Sequence, residues 1–307
     1  MRMDRRQFSA LLGFGLIAAR APDTLAQESG GLAIAASTPI IADIVRQIAG
    51  LADDVWSVIP VGADTHTWEA SPREMVRIGE SDAFVSVGAY LEPFIEAGPW
   101  RRAVDDNDVP ELVLADHLAL ISIDRVIDHG DHVHDLRGGD PHFWLDPLMV
   151  KSATPVIAEF LSGMAQGRAA EFERHGVEWD GKLDALHDEL VEDLGAIPVE
   201  RRKMVVFHDT YTYFAAQYGF EVIGVVMPDA GMDPSARAFA ELEQVIVDNE
   251  VDVIFVEPQF SADSIDGLVE QYDLATAMLL TDTFDADVDT YLELMRFNRD
   301  SLVQNLG

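Results

Sequence analysis

No cysteine occurs in the 307 residues. Its absence excludes disulfides and a lipid-modified N-terminal cysteine, and it confines any metal site to nitrogen and oxygen ligands. Basic residues are scarce: 21 Lys and Arg stand against 55 Asp and Glu, a formal net charge of −34 at pH 7, and Lys151, Lys182 and Lys203 are the only lysines. That balance argues against nucleic acid and anionic membranes as partners, because phosphate repulsion would dominate. An acidic surface keeps such a chain soluble in a salty medium. It concentrates cations only weakly and without selectivity, since salt screens it. Beyond the N-terminus no run of about twenty uninterrupted apolar residues is present, so no later segment is expected to span a bilayer. Low-complexity tracts are absent too, and with 48% hydrophobic residues the chain can fill the cores of two ordinary domains.

Residues 1–26 read as an export signal: Arg2, Arg5 and Arg6, an apolar stretch from Phe8 to Ala19, then Thr24-Leu25-Ala26 as a small-residue cleavage site. Arg5-Arg6-Gln7-Phe8 also fits a twin-arginine signal, so secretory and twin-arginine export both remain open. Either route predicts a soluble, periplasmic protein.

After the signal, short β-rich runs alternate with helical patterns, which predicts α/β units with parallel strands. In the first half Leu32–Ser37, Val55–Ile59, Ala83–Val87 and Leu112–Leu114 read as strands. Pro39–Ala49 has helical apolar spacing and stops at Gly50, and Ser71-Pro72-Arg73-Glu74 is a capped helix start. In the middle, Leu148–Leu161 and Arg168–Leu194 read as helices, the second charged along much of its length. The second half repeats the pattern, with strands at Met204–Phe207, Val222–Val226, Val253–Val256 and Met278–Leu280. Helices are predicted from Asp209 to Tyr218, from Asp233-Pro234 to Asn249, and from Ser261 onward. The expected fold class is α/β, with two lobes, each a mainly parallel sheet flanked by helices, joined by one long helix. The expected boundaries are 27–165 for the N-terminal lobe, 166–197 for the connecting helix and 198–307 for the C-terminal lobe.

Histidine positions carry the chemistry. His66 lies in a loop after the second strand, His208 ends the strand Met204–Phe207, and Asp282 follows Met278-Leu279-Leu280-Thr281. His142 precedes the middle helices, in Asp140-Pro141-His142-Phe143-Trp144-Leu145-Asp146-Pro147. Ligands of open parallel sheets bind beyond the carboxyl ends of the strands. Three imidazoles and one carboxylate there suit a borderline-soft divalent ion. Asp146 and Asp209 read instead as helix caps.

Four passages carry a resemblance: His66-Thr67-Trp68-Glu69-Ala70-Ser71-Pro72, the Asp140–Pro147 motif, His208 through Tyr218-Gly219, and Phe255-Val256-Glu257-Pro258-Gln259-Phe260. In matching order they resemble the metal-binding solute-binding proteins of ABC importers, of the ZnuA/TroA type. The resemblance implies two α/β lobes bridged by a long helix, with metal in the cleft between them. The implied ligands are His66, His142, His208 and Asp282. Thr281-Asp282-Thr283-Phe284 lacks the glycine that often follows in relatives, and Glu257 is an alternative oxygen ligand, or else pairs with a neighbour or caps the turn before Ser261. A histidine at position 208 goes with Zn(II) in that family and a glutamate often with Mn(II), which matches the preference of imidazole for zinc. The implied partner is an ABC importer permease with its ATPase subunit, and a monomer is expected because a transporter must reach both lobes.

Asp128-His129-Gly130-Asp131-His132-Val133-His134-Asp135 is expected to form a weak auxiliary zinc site through His129, His132 and His134, or else an acidic surface loop. His117, His175 and His187 are expected at the surface. Three histidines could also hold the zinc of a hydrolase, with an open position for water. The carboxylate at Asp282 would close that position, and no motif supplies a separate general base, so no enzyme activity is expected.

Overall fold

The computed structural model describes residues 31–92, 99–122, 126–128, 133–135, 139–228 and 235–307. The first sheet contains β1 (Ala33–Ala36), β2 (Asp54–Ser57), β3 (Ala83–Ser86) and β4 (Glu111–Val113) in the order β2-β1-β3-β4. Every pairing in it is parallel. Parallel neighbours require crossovers, and these are α1 (Pro39–Ala49), α2 (Pro72–Gly79) and α3 (Pro99–Asp105). Thr38 caps α1 by accepting from the Ile41 amide at 3.2 Å, and Gly50 ends it at φ 90, where a side chain would be strained. In α2, Pro72 occupies the first turn and Glu74 accepts from the Ser71 amide at 2.8 Å.

A hairpin of β5 (Val126–Asp128) and β6 (Val133–Asp135) follows, pairing Ile127 with His134. Ile121 and Asp140 are joined to one another. The Asp140 amide donates to the Ile121 carbonyl at 2.9 Å, and Tyr213 hydroxyl bridges the two, accepting from the Ile121 amide and donating to the Asp140 carbonyl.

Two helices then cross the molecule, α4 (Pro147–Met164) and α5 (Ala169–Gly195). The 27 residues of α5 extend about 40 Å. Its charged composition predicts a solvated rod, yet Phe172, Gly176, Trp179, Leu183, Leu186, Leu190 and Leu194 form a buried stripe along one face. The spacing of three and four residues keeps that stripe on one side of the helix. Arg168 anchors its start on Asp53 and Glu171, and its far half meets Arg296 through Glu189 at 2.8 Å.

The second sheet holds β7 (Lys203–His208), β8 (Glu221–Met227), β9 (Val253–Val256) and β10 (Ala275–Met278) in the order β10-β9-β7-β8. Its crossovers are α6 (Thr212–Tyr218), α7 (Ala236–Asn249) and α8 (Asp266–Tyr272). Numbered within each lobe, both sheets run second, first, third, fourth. The strands of the two sheet centres are buried almost throughout, as sheets covered on both faces require. The closing helix α9 (Tyr291–Leu306) returns to α5. One contiguous apolar core includes Ile34, Ile41, Trp144, Leu183, Met204, Leu280 and Leu294, and so runs through both lobes.

Four local expectations shift. The run Met278–Leu280 reads as strand, but β10 ends at Met278; Leu280 is buried beyond it because Asn298 of α9 takes its backbone. The Leu280 amide donates to Asn298 Oδ1 at 2.8 Å and Asn298 Nδ2 donates to the Leu280 carbonyl at 2.6 Å. α6 begins at Thr212 rather than Asp209, with Tyr211 in the capping position. α7 opens at Ser235, whose hydroxyl accepts from the Ala238 amide, while Asp233-Pro234 lies outside the described residues. His175 and His187 are half-buried rather than free at the surface: His175 Nδ1 meets the Ile48 carbonyl at 3.0 Å and His187 Nδ1 meets Tyr218 hydroxyl at 3.3 Å. His117 is exposed. Among the described residues no helix is long and apolar enough to cross a membrane.

Candidate metal centre

His66 is carried by the loop from β2 to α2. Asp64 shapes that loop, its Oδ1 accepting from the His66 amide at 3.0 Å and its Oδ2 from Thr67 hydroxyl at 2.6 Å. His142 starts a 3-10 turn, Phe143–Leu145, after which Asp146 caps α4 by accepting from the Leu148 amide. His208 is the last residue of β7. Asp282 lies four positions past the end of β10, in the buried segment that Asn298 holds.

These four side chains converge. Each offers one ligand atom, and those atoms all lie within 4.8 Å of one another. His142 Nε2 and His66 Nε2 are 3.4 Å apart, His208 Nε2 is 3.4 Å from Asp282 Oδ2, and His66 Nε2 is 3.6 Å from the same oxygen. The three imidazole centroids form a nearly equilateral triangle, with sides of 5.5, 5.6 and 5.7 Å. Donors about 2.0–2.1 Å from a tetrahedral zinc ion sit about 3.3 Å from one another. The three measured spacings fall at that tetrahedral edge, with slight relaxation.

Carboxylates orient two of the rings. Asp140 Oδ1 lies 2.7 Å from His142 Nδ1 and also accepts from the His142 amide at 2.9 Å. Glu257 Oε1 lies 2.8 Å from His208 Nδ1. A carboxylate beside Nδ1 fixes the proton there and turns Nε2 toward the centre. His208 Nε2 and Asp282 Oδ1 are buried with no hydrogen-bond partner, although buried polar atoms are rarely left so. The unpartnered His208 Nε2 lies 3.4 Å from Asp282 Oδ2, and a buried nitrogen left so beside a carboxylate oxygen fits a cation site.

Electrostatics agree. Burial alone would push the His208 imidazolium down, but Glu257 and then Asp282 outweigh it and hold His208 well above its ordinary value. Burial would raise Asp282, yet His208, with smaller help from His66 and His142, holds it well below the carboxylate range. Burial likewise opposes ionisation of Asp140, and His142 beside it keeps that carboxyl low.

Glu257 stands behind His208 rather than among the four converging groups. Its second oxygen accepts from Gln259 Nε2 at 2.8 Å and from Thr281 hydroxyl. Of the two readings the sequence offers for it, a ligand or a residue paired with a neighbour, the contact with His208 is of the second kind. The strand order carries the missing signal, since β9 lies beside β7 and sets Glu257 against His208. Asp140, two residues before His142, went unremarked. Of the histidine-rich loop, His134 lies in β6, while His129 and His132 fall outside the described residues.

Several hydrogen bonds close the lobes around the centre. The Gly62 amide donates to Thr283 Oγ1 at 2.7 Å, Thr65 hydroxyl to Asp282 Oδ2 at 3.2 Å, and Trp144 Nε1 to the Thr281 carbonyl at 2.8 Å. A surface groove of ≈ 670 Å³ lies elsewhere, between α4 and α5, and none of the four side chains lines it.

The chain is similar to known proteins over nearly its whole length. It is 23% identical over 292 residues to the manganese-binding lipoprotein MntA of Halalkalibacterium halodurans, covering 94% of this chain and 93% of that protein. It is 25% identical over 289 residues to the zinc-binding lipoprotein AdcA of Streptococcus pneumoniae, covering 91% of this chain and 56% of that one. The periplasmic zinc-binding protein TroA of Treponema pallidum shares its fold, with a TM-score of 0.77 at 22% identity over 91% of this chain and 100% of that one. So does a manganese-bound periplasmic metal-binding protein from Candidatus Liberibacter asiaticus, in a mutant form, with a TM-score of 0.74 at 18% identity over 90% and 100%. Residues 34–305 match the family described as zinc-uptake complex component A, periplasmic, and the chain therefore belongs to this ZnuA family of metal-transport components, which are not enzymes.

Proposed function

We propose that this protein is exported by the segment 1–26, captures one divalent transition-metal ion between its lobes on His66, His142, His208 and Asp282, and delivers it to the permease of an ABC importer. Zinc is the preferred cargo and the periplasm the site of capture. The convergence of four ligand atoms within 4.8 Å, two of the groups with orphaned buried atoms, carries the reading. Three nitrogens and one oxygen suit zinc, whereas manganese favours more oxygen and a larger coordination number. The lobes are assigned to 27–165 and 198–307, with 166–197 as the rigid connector. His129, His132 and His134 are assigned a weaker auxiliary zinc site.

A second reading, manganese or iron as cargo, is favoured by the names of relatives: manganese-binding MntA covers 94% of this chain, and iron-binding YfeA of Yersinia pestis covers 98% at 24% identity. Calorimetric titration of the metal-stripped protein, with zinc and separately with manganese, decides between them. The expected result is tight zinc binding near one equivalent, much weaker manganese binding, and a second weak zinc event from the histidine-rich loop. Tight manganese with weak zinc would reverse the cargo and leave the importer role standing. Binding of neither metal would remove the central claim.

A further inference from the structure

Glu257 is among the most completely engaged carboxylates in the molecule. It is 3% exposed, and both of its oxygens are occupied: Oε1 by His208, Oε2 by Gln259 and Thr281. Oε1 also lies 3.4 Å from the His208 amide, so Glu257 holds that residue by ring and backbone together. Thr281, itself fully buried, is the residue before Asp282, and its carbonyl accepts from Trp144 Nε1. The ring of Trp144 packs edge-on against His142, with centroids 5.4 Å apart. One carboxylate thus fastens a ring on β7 to the segment that carries Asp282. The distance it fixes, 3.4 Å from His208 Nε2 to Asp282 Oδ2, is a tetrahedral edge.

We propose that Glu257 is a positioning residue that sets the preference of the metal centre for zinc over manganese, without touching the ion. The proposal rests on the metal-binding reading above. Two physical effects separate the ions. A hydrogen bond from Nδ1 to a carboxylate strengthens the imidazole as a donor, and zinc gains more from a strong nitrogen donor than manganese does. A rigid tetrahedral edge also opposes the expansion that manganese requires. The bare negative charge of Glu257, by contrast, attracts both dications equally and cancels in the ratio of affinities. Selectivity therefore reports positioning, where affinity alone would not.

Two variants test this in the full-length mature protein. Glu257→Gln keeps an oxygen for His208 Nδ1 but is neutral, and it turns an amide toward Gln259 and Thr281, which both donate at present. Thr281→Val keeps the shape of the side chain and removes its hydroxyl's bonds to Glu257 and Gln259, while Glu257 keeps its contact with His208. Zinc and manganese affinities are measured by competition titration, with the visible spectrum of the cobalt-loaded protein as a readout of coordination number. The expected result is one tight equivalent of zinc in every protein. Zinc affinity falls about tenfold in Glu257→Gln, the lower range for loss of an outer carboxylate. Manganese affinity falls less than zinc, and the cobalt bands lose the intensity of four-coordination. Thr281→Val shifts the ratio in the same direction by a smaller factor, and it decides the matter if Glu257→Gln does not fold. Equal loss for both metals in the folded variant, or no loss for either, overturns the proposal. Loss of the stoichiometric site in Glu257→Gln, with the fold intact, would make Glu257 a ligand and overturn it too. Failure of the unaltered protein to bind either metal is a different result, which removes the metal-binding reading itself.

Discussion

His208 closes β7 with 2% of its side chain exposed and its Nδ1 against Glu257, while His66 stands in mid-loop with 9% exposed. Its backbone amide is tied to Asp64, and its ring meets the centre through Nε2, which faces His142 and Asp282. Among the described residues no carboxylate meets Nδ1 of His66 in the way that Glu257 meets His208 and Asp140 meets His142. The two lobes share a strand order, so topology does not explain the contrast. The difference lies in which strand ends were used. The C-terminal lobe places its histidine at the switch point between β7 and β9, where neighbouring strand ends brace one another, and adds Asp282 from the adjoining segment. The N-terminal lobe reaches the same point with a loop, which it tethers across the cleft through Gly62 and Thr65. On the function proposed above, a braced half and a tethered half suit a site that holds an ion and then releases it, and His66 is the group expected to move.

Removing ligands breaks this comparison most directly. His208→Ala takes away a ring and leaves Glu257 and Asp282 buried without their shared partner. Zinc affinity is expected to fall by more than about a hundredfold, beyond the upper range for loss of an outer partner. His66→Ala should cost less in affinity and act more on the rate of metal release, because the braced pair remains. Stopped-flow chelator competition on both variants measures this. An equal or larger loss in His66→Ala would show that the tethered half carries as much of the binding as the braced one.

The next effect is on pH. Zinc requires unprotonated imidazole nitrogens, so affinity should fall as the medium is acidified from neutral to about pH 5, through the histidine range. His208, held above its ordinary value in the metal-free protein, makes loading release a proton even near neutrality. The metal-free protein should respond in the opposite sense. A raised His208 contributes stability that is complete below its unfolded value near 6.5 and is lost as pH rises through its folded value. Asp282 contributes stability above its unfolded value near 3.8 and loses it only as pH falls through its depressed folded value. Thermal melts across pH should therefore show metal-free Tm declining toward the alkaline side while the zinc-induced rise in Tm grows. If both curves move in parallel, the braced pair is not the origin of the pH dependence.

Much of this was legible in the sequence, and the limits have physical causes. Parallel strands buried on both faces announce themselves as apolar runs, and Pro39–Ala49 could be bounded to the residue because Thr38 and Gly50 mark its ends. The four converging side chains follow from strand ends and motif order. The extent of β10 was not legible, because a buried apolar segment looks like strand whether a strand or the Asn298 side chain takes its backbone. The partner of Glu257 was hidden for a related reason: it depends on β9 lying next to β7, a pairing made across 49 positions of sequence. The buried stripe of α5 was masked by the charges on its other faces.

The smallest effect expected is in overall shape. If the tethered half moves alone, loading should reorder the His66 loop and leave the lobes nearly where they are. Three features oppose a large hinge. One apolar core runs beneath both sheets. The connector α5 is packed along one face by its buried stripe rather than free to bend. Tyr291, fully buried at the start of α9, donates from its hydroxyl to the Trp144 carbonyl at 2.7 Å and from its amide to Asp43 at 2.9 Å, so the end of the C-terminal lobe is bonded into the N-terminal one. Small-angle scattering with and without zinc should then differ by less than about 1 Å in radius of gyration, the scale of backbone change in pre-organised complexes. Amide exchange should show protection gained mainly between β2 and α2. A change of several ångströms, or protection spread evenly over both lobes, would mean that the braced half moves as well, and the contrast between the halves would then lie in chemistry alone.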